Sequence, residues 1–205
     1  ADNLKPEIQK QQGQKLFFYG IPVRSAFRQE YSRQELRKKF GWQDDTAICL
    51  LMGGGEGLLP MKEILGGVSG KIPLKMRFVA ITGRNKELAS ELKNQYPDVE
   101  VYGFTEAIPE FMHAADIIIS KAGGLTAAET LTTCLNYIIY KPLPGQEEAN
   151  AEYLKSSGAA IIAKTPNDVL LAINNYSLAK AKQRQELGRP EAAPDIAKAV
   201  INMLN

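Results

Sequence analysis

From Lys15 onward, short apolar runs rich in Ile and Val alternate with segments of helical period, and this alternation constrains the fold most strongly. The runs are Leu16–Tyr19, Ala47–Met52, Met76–Ile81, Val99–Tyr102, Asp116–Ile119, Tyr137–Tyr140 and Ala159–Ile162. Most are continuous rather than alternating, as expected for strands covered on both faces. Helical patterns occupy Ser32–Phe40, Leu58–Leu65, Lys86–Gln95, Ile108–Ala114, Leu125–Cys134, Glu147–Ser156 and Pro166–Asn174, and Pro194–Leu204 closes the chain. Gly41, Gly103 and Gly158 fall at stops or turns. The expected fold is α/β, a single doubly wound, mostly parallel sheet. Ligands on such sheets sit at the carboxyl ends of the strands, and the notable loops all occupy that edge.

The most pointed stretch is Ser120-Lys121-Ala122-Gly123-Gly124-Leu125-Thr126-Ala127-Ala128-Glu129. A buried strand that stops at two glycines and restarts as a helix aims several backbone N–H groups at one spot, which favours a phosphate. Glu129 falls about one helical turn past the glycines, where a carboxylate accepts hydrogen bonds from ribose hydroxyls. An ordinary strand-to-helix turn uses the same glycines, so the motif alone leaves both readings open.

Gly53-Gly54-Gly55-Glu56-Gly57 follows the run ending at Met52. Its glycines admit a ligand close to the backbone, and the helix expected directly afterwards favours negative charge. It is not a Walker A loop, which requires GxxxxGK[ST]. A dinucleotide fingerprint also fails, because Leu58 stands where its third glycine belongs. The next strand pattern, moreover, ends Ile81-Thr82-Gly83-Arg84-Asn85 without the acidic residue. Arg84 suits a phosphorylated ribose, which keeps an NADP-linked oxidoreductase as an alternative.

Gly103-Phe104-Thr105 offers an aromatic face and exposed backbone to a flat base, unless Phe104 fills core. In Gly20-Ile21-Pro22-Val23-Arg24 the guanidinium is a planar fork matched to phosphate, or surface decoration. In Pro142-Leu143-Pro144-Gly145-Gln146-Glu147-Glu148-Ala149-Asn150, the side chains of Gln146, Glu147 and Asn150 mix donors and acceptors, as sugar hydroxyls require. Capping of the helix's first turn explains Glu147 and Glu148 equally well.

The length of 205 residues and 44% hydrophobic content suffice for one large domain or two small ones. A net charge of +2 leaves no nucleic-acid footprint. The densest basic group, Arg33–Lys39, contains Glu35 and reads as a solvated helix face. Cys49 and Cys134 lack CxxC spacing and read as small core residues in a reducing compartment. No run approaches the roughly 20 apolar residues of a membrane span. Ala1–Gln14 is polar, unlike a secretory signal, so a cytoplasmic location is expected. Zinc spacing, a DxD pair and a GxSxG elbow are all missing, so no metal is expected. His113, beside Met112 in a helical pattern, reads as a half-buried packing residue, and Gln183–Pro194 as a polar connector.

Together and in this order, Gly20–Arg24, Gly53–Gly57, Gly103-Phe104, Ser120–Glu129 and Pro144–Asn150 resemble the C-terminal, donor-binding domain of family 28 glycosyltransferases. The GGGEG loop and the PGQE run are most similar to the branch containing monogalactosyldiacylglycerol synthases and diacylglycerol glucosyltransferases. The resemblance implies one Rossmann-like half of a GT-B fold, spanning residues 15–205, with residues 1–14 as an interdomain tail. It implies a peripheral place at the membrane through the other domain. It implies UDP-glucose or UDP-galactose as donor substrate, with no further cofactor, and inverting transfer to a lipid acceptor such as diacylglycerol. Arg24, Gly53, Gly54, Gly55, Gly57, Gly124, Leu125 and Thr126 would then face the diphosphate. Phe104 and Thr105 would bind uracil, Glu129 the ribose, and Gln146, Glu147 and Asn150 the hexose. Such enzymes carry the acceptor site and general base on an N-terminal domain, and nothing before Lys15 could be that domain. The chain is therefore expected to be an excised half or a separate donor-binding subunit, and inactive alone.

Overall fold

The computed structural model describes residues 17–71, 75–175 and 187–204. Its strands are β1 (Ala47–Met52), β2 (Met76–Ile81), β3 (Glu100–Tyr102), β4 (Ile117–Ser120), β5 (Asn136–Tyr140) and β6 (Ala160–Ala163). They form one six-stranded sheet in the order β3-β2-β1-β4-β5-β6, and every pairing is parallel. The order reverses between β1 and β4, and there a doubly wound sheet opens a crevice at its carboxyl edge.

The described α-helices are α1 (Arg33–Phe40), α2 (Met61–Val68), α3 (Lys86–Gln95), α4 (Ile108–Ala114), α5 (Gly124–Thr132), α6 (Gln146–Ser156), α7 (Pro166–Asn174) and α8 (Ala192–Leu204). Local chemistry sets several boundaries. Ser32 accepts the Glu35 amide to start α1, Asn85 accepts the Leu88 amide to start α3, and Thr165 with Asp168 forms a capping box on α7. Alternate side chains of β1 then divide the core. Ile48, Leu50 and Met52 pack with residues of α1, α4, α5 and α6, whereas Cys49 and Leu51 pack with α2, α3 and α7.

At the amino edge, Asp116 joins three strands. One carboxylate oxygen accepts the Ile48 amide at 2.7 Å and Arg37 Nη2 at 2.7 Å, while Arg33 reaches the other. The Asp116 carbonyl accepts both the backbone and side-chain nitrogens of Asn136, at 3.2 and 2.9 Å. Arg37 also donates to the carbonyls of Ala114, Gln43, Asp44 and Thr46. The solvated face expected over Arg33–Lys39 is therefore corrected: Arg37 is 2% exposed. It follows Leu36 on the helix and shares the side that faces the core, a position ordinarily apolar but here lined with carbonyls.

Two other expectations change. Residues 17–19 of the expected strand Leu16–Tyr19 form no strand and join no sheet, while Leu16 lies outside the described residues. Gly20, at φ +91°, and Pro22 interrupt the run, and a Cβ at Gly20 would fall 2.6 Å from Arg189 Cβ. The closing helix starts at Ala192, earlier than Pro194, so the expected connector is partly helical; residues 183–186 and the tail 1–14 lie outside the description.

Removing one partner of a buried ion pair costs about 3–5 kcal/mol. Arg37→Met is expected to lower the urea-unfolding free energy by about 3 kcal/mol. A loss below about 1 kcal/mol would show that the pair does not hold the strands.

Candidate functional site

Strand register brings the loops singled out in the sequence to one rim. Met52 sits opposite both Ile81 and Ser120, Ile81 opposite Tyr102, and Ser120 opposite Ile139. The loops after β1, β2, β3, β4 and β5 therefore leave the same edge. Residues 20–24 reach it from outside the sheet, through a 3-10 helix, Ser25–Arg28, whose Phe27 is buried. His113 fastens that helix, donating from Nε2 to the Phe27 carbonyl at 3.2 Å with Tyr31 against its ring. Burial holds its pKa below the usual imidazole value, so it is the packing residue the sequence suggested.

The loop before α5 starts at the reversal of strand order. Gly123 is the N-cap of α5, no side chain caps that end, and a Cβ at Gly123 would meet nothing within 4 Å. The amides of Gly124, Leu125 and Thr126 occupy the first turn, where an α-helix leaves donors without intrahelical acceptors. Behind them, Ser120 Oγ donates to the Met52 carbonyl at 2.8 Å, tying β4 to β1.

Glu129 lies one turn further on, half-buried. Desolvation pushes its carboxyl pKa up to about 7, and the opposing influence is the charge of Arg24. Ile21 also arrives here, its Cδ1 3.2 Å from where a Gly124 Cβ would be. Arg24 itself is exposed, its guanidinium 5.3 Å from the Phe27 ring centroid.

In the glycine loop the residues separate by task. Gly53 and Gly57 are turned inward: a Cβ at Gly57 would lie 2.5 Å from the Thr82 carbonyl oxygen, and one at Gly53 2.6 Å from the Gly57 carbonyl carbon. Arg84 N–H donates to the Gly55 carbonyl at 2.8 Å, and Gly83, at φ +61°, lets the two loops touch. Both Gly54 and Gly55 are exposed: a Cβ at Gly54 would meet nothing within 4 Å, and one at Gly55 only Arg84 Nη1 at 3.7 Å. Close approach by a ligand is thus available at Gly54 and Gly55, whereas Gly53 and Gly57 serve the loop's own packing. The helix expected directly after these glycines begins only at Met61, because Pro60 holds its N-cap. The positive helix end therefore belongs to α5 and not to this loop.

Phe104 is 59% exposed, which removes the core-filling alternative. The Arg84 guanidinium lies 5.0 Å from its centroid and pairs with Glu56 at 3.1 Å. Thr105 Oγ1 accepts the Ala107 amide at 3.1 Å, shaping the turn.

Gln146 is exposed at the start of α6, but its two companions are engaged. Glu147 Oε2 accepts the Leu143 amide at 3.0 Å, tying the loop ahead of the N-cap Gly145 to the first turn of the helix. Asn150 Nδ2 donates to the Ala122 carbonyl at 2.9 Å. Sequence reasoning missed Tyr137, whose hydroxyl donates to the Lys121 carbonyl at 2.5 Å, and Lys121, whose Nζ donates to the Lys141 carbonyl at 2.5 Å. A tyrosine opening an apolar run signals a strand and nothing about the carbonyl it meets.

A cavity of about 490 Å³ lies elsewhere, among Leu65, Met76, Phe78 and Tyr96, and gathers none of these residues. Among the described residues no group of three or more His, Cys, Asp or Glu could hold a metal ion. No described helix is long and apolar enough to cross a membrane. Cys49 is buried, with its pKa raised by burial, and Cys134 is partly buried at the end of α5.

Residues 48–198 match the glycosyltransferase family 28 C-terminal domain. Monogalactosyldiacylglycerol synthase 2 of Arabidopsis thaliana is 34% identical over 199 residues, covering 89% of this chain and 42% of that protein. The processive diacylglycerol beta-glucosyltransferase of Bacillus pumilus is 32% identical over 161 residues, covering 76% of this chain and 42% of that protein. The chain thus spans less than half the length of these relatives. Among solved structures, Acinetobacter baumannii MurG superposes with a TM-score of 0.67 at 22% identity, over 86% of this chain and 55% of that one. An Anabaena protein in complex with UDP gives 0.67 at 13% identity, over 92% of this chain and 57% of that one. At these identities the likeness is one of fold.

Two outcomes follow for the unliganded chain. A folded carboxyl pKa raised above its unfolded value stabilises below the unfolded value, and that contribution is lost as pH rises through about 7. Glu129→Gln should therefore gain stability relative to wild type between pH 6 and 8 in urea titrations; parallel profiles would mean the carboxyl is not desolvated. Gly83→Ala meets the Gly55 carbonyl oxygen at 2.3 Å, whereas Gly41→Ala, also at positive φ, meets nothing within 4 Å. Thermal denaturation should show the Gly83 variant to be the less stable by more than about 1 kcal/mol, beyond the shared backbone strain.

Proposed function

The chain belongs to the glycosyltransferase family 28 C-terminal domains, and on that premise we propose that it is the UDP-hexose-binding half of an inverting hexosyltransferase acting on a lipid such as diacylglycerol. The observation that carries this reading is the uncapped, open N-terminus of α5 at the reversal of strand order, with a desolvated carboxylate one turn inside it. A nucleoside diphosphate needs both, donors for its phosphates and an acceptor for its ribose hydroxyls.

In this reading the diphosphate lies across the amides of Gly124, Leu125 and Thr126 and the open backbone of Gly54 and Gly55. Arg24 supplies the charged fork. The uracil stacks at Phe104 and meets the backbone near Thr105, while the ribose hydroxyls donate to Glu129. Gln146 reads the hexose, Glu147 shapes the loop that presents it, and Asn150 braces the phosphate loop through Ala122.

Transfer is an in-line displacement. An acceptor hydroxyl oxygen forms a bond to the anomeric carbon as the bond to the UDP oxygen breaks, and the acceptor proton passes to a general base. The electron pair departs with UDP, where helix-end amides and Arg24 stabilise the growing charge without reorganising. The base and the acceptor site are assigned to the remaining length of the relatives, whether fused to this chain or on a separate partner. The isolated chain is then a binder with little turnover. In this reading it works at a membrane surface, on the cytoplasmic side, through that remaining length.

Isothermal titration should show saturable binding of UDP and competition by UDP-glucose or UDP-galactose; absence of both defeats the proposal. Saturable NADP binding without preference for uridine would favour the oxidoreductase alternative, in which Arg84 takes the phosphorylated ribose. Glu129→Ala should weaken UDP by about 1.5–3 kcal/mol, the scale of hydrogen bonds to a charged group. Since the ionised carboxylate is the stronger acceptor, wild-type affinity for uridine should rise between pH 6 and 8 as Glu129 ionises through about 7. Glu129→Gln should remove that rise.

A further inference from the structure

We propose that Tyr137 and Asn150 are positioning residues that set the phosphate-binding amides of α5 by holding two successive carbonyls of the preceding loop. The inference rests on the nucleotide-sugar reading of the rim and deepens it, from the atoms that would meet the ligand to the side chains that aim them. The loop between β4 and α5 is Lys121-Ala122-Gly123. Its last residue has nothing within 4 Å of its Cβ position, so neighbouring atoms do not restrain it from that side. Restraint comes from two side chains of other elements. Tyr137, in β5, donates its hydroxyl to the Lys121 carbonyl at 2.5 Å. Asn150, in α6, donates Nδ2 to the Ala122 carbonyl at 2.9 Å.

A trans peptide is planar, with its C=O and N–H pointing in opposite directions. Fixing the Lys121 carbonyl on Tyr137 therefore fixes the Ala122 N–H on the opposite side. Fixing the Ala122 carbonyl on Asn150 turns the Gly123 N–H away from α6. Two consecutive peptide planes are thereby oriented immediately before the helix, and the first-turn amides inherit that orientation. Tyr137 is 3% exposed, and burial raises its phenol pKa, so the hydroxyl stays a donor throughout the working pH range. Asn150 also stands four residues after Gln146 on the same helix, so their side chains share a face. The helix that would read the hexose is thus bolted to the loop that would hold the phosphates, and Glu147 fixes the entry to the same helix.

The experiment compares dissociation constants for UDP and uridine on the full 205-residue chain, as wild type, Tyr137→Phe and Asn150→Ala. UDP is followed by calorimetry and uridine by ligand-observed NMR. If the side chains act through the phosphate loop, each variant weakens UDP at least fivefold and leaves uridine within twofold. Equal weakening of both ligands, or unchanged UDP binding, overturns the proposal, because a merely structural role does not separate phosphate from nucleoside. Should Tyr137→Phe fail to fold, Asn150→Ala, at a partly exposed helix position, carries the same comparison. A wild type that binds neither ligand defeats the nucleotide-sugar reading itself. A wild type that binds both, with variants that match it, defeats only the positioning roles.

Discussion

The pairing of β1 with β4 is the contact on which the remainder of the molecule depends. It is the one junction where the strand order jumps, and its register is fixed at both ends. Asp116 accepts the Ile48 amide at the amino end, and Ser120 Oγ donates a hydrogen bond to the Met52 carbonyl at the carboxyl end. Between them Ile117, Ile118 and Ile119 are fully buried against the neighbouring strands. A slip of one residue would turn each isoleucine to the other face of the sheet and break both end contacts together. It would also shift the glycine loop after β1 relative to the amides of α5. The crevice exists because this register cannot slide cheaply.

The rim that results is built largely from backbone. On the proposed reading, amides of α5, exposed peptide at Gly54 and Gly55, and the turn at Phe104 would do the work that a metalloenzyme assigns to ligating side chains. Arg24 and Glu129 bring opposite charges to the rim and act on each other: burial discourages the carboxylate while the guanidinium favours it. A site of this kind is electrostatically quiet when empty. Its donors have fixed directions, and that is what a diphosphate recognises.

This backbone character also explains how much the sequence disclosed. The boundaries of β1, β2, α3, α4 and α7 were readable because continuous Ile and Val runs, capping residues and a proline at the helix start are local signals. The apparent strand over residues 17–19 was misread because aromatic content alone does not create a neighbour to pair with, and Gly20 and Pro22 close the run before one is found. Glycines were readable as glycines but not by task, since the Thr82 carbonyl that forbids a Cβ at Gly57 comes from the next strand's loop. Arg37 could not be recognised as buried, because its carbonyl partners belong to two separated segments. Long-range polar contacts leave no period in a sequence.

Five segments around the rim each expose one large apolar side chain: Ile21, Leu58, Phe104, Leu125 at the start of α5, and Leu143. Displacement at an anomeric carbon requires water to be kept from the reacting centre, since water competes with the acceptor hydroxyl. An open rim of polar amides ringed by apolar tips does not exclude water unaided, but it is well made to be covered. On the proposed reading the covering surface comes with the acceptor and the general base, in the length that the relatives carry beyond this chain. Binding a donor here would then orient its anomeric carbon outward, and the chemistry would begin only when a second surface closes on the ring. Separating recognition from closure in this way would, on that reading, protect an activated sugar from hydrolysis until the acceptor is in place.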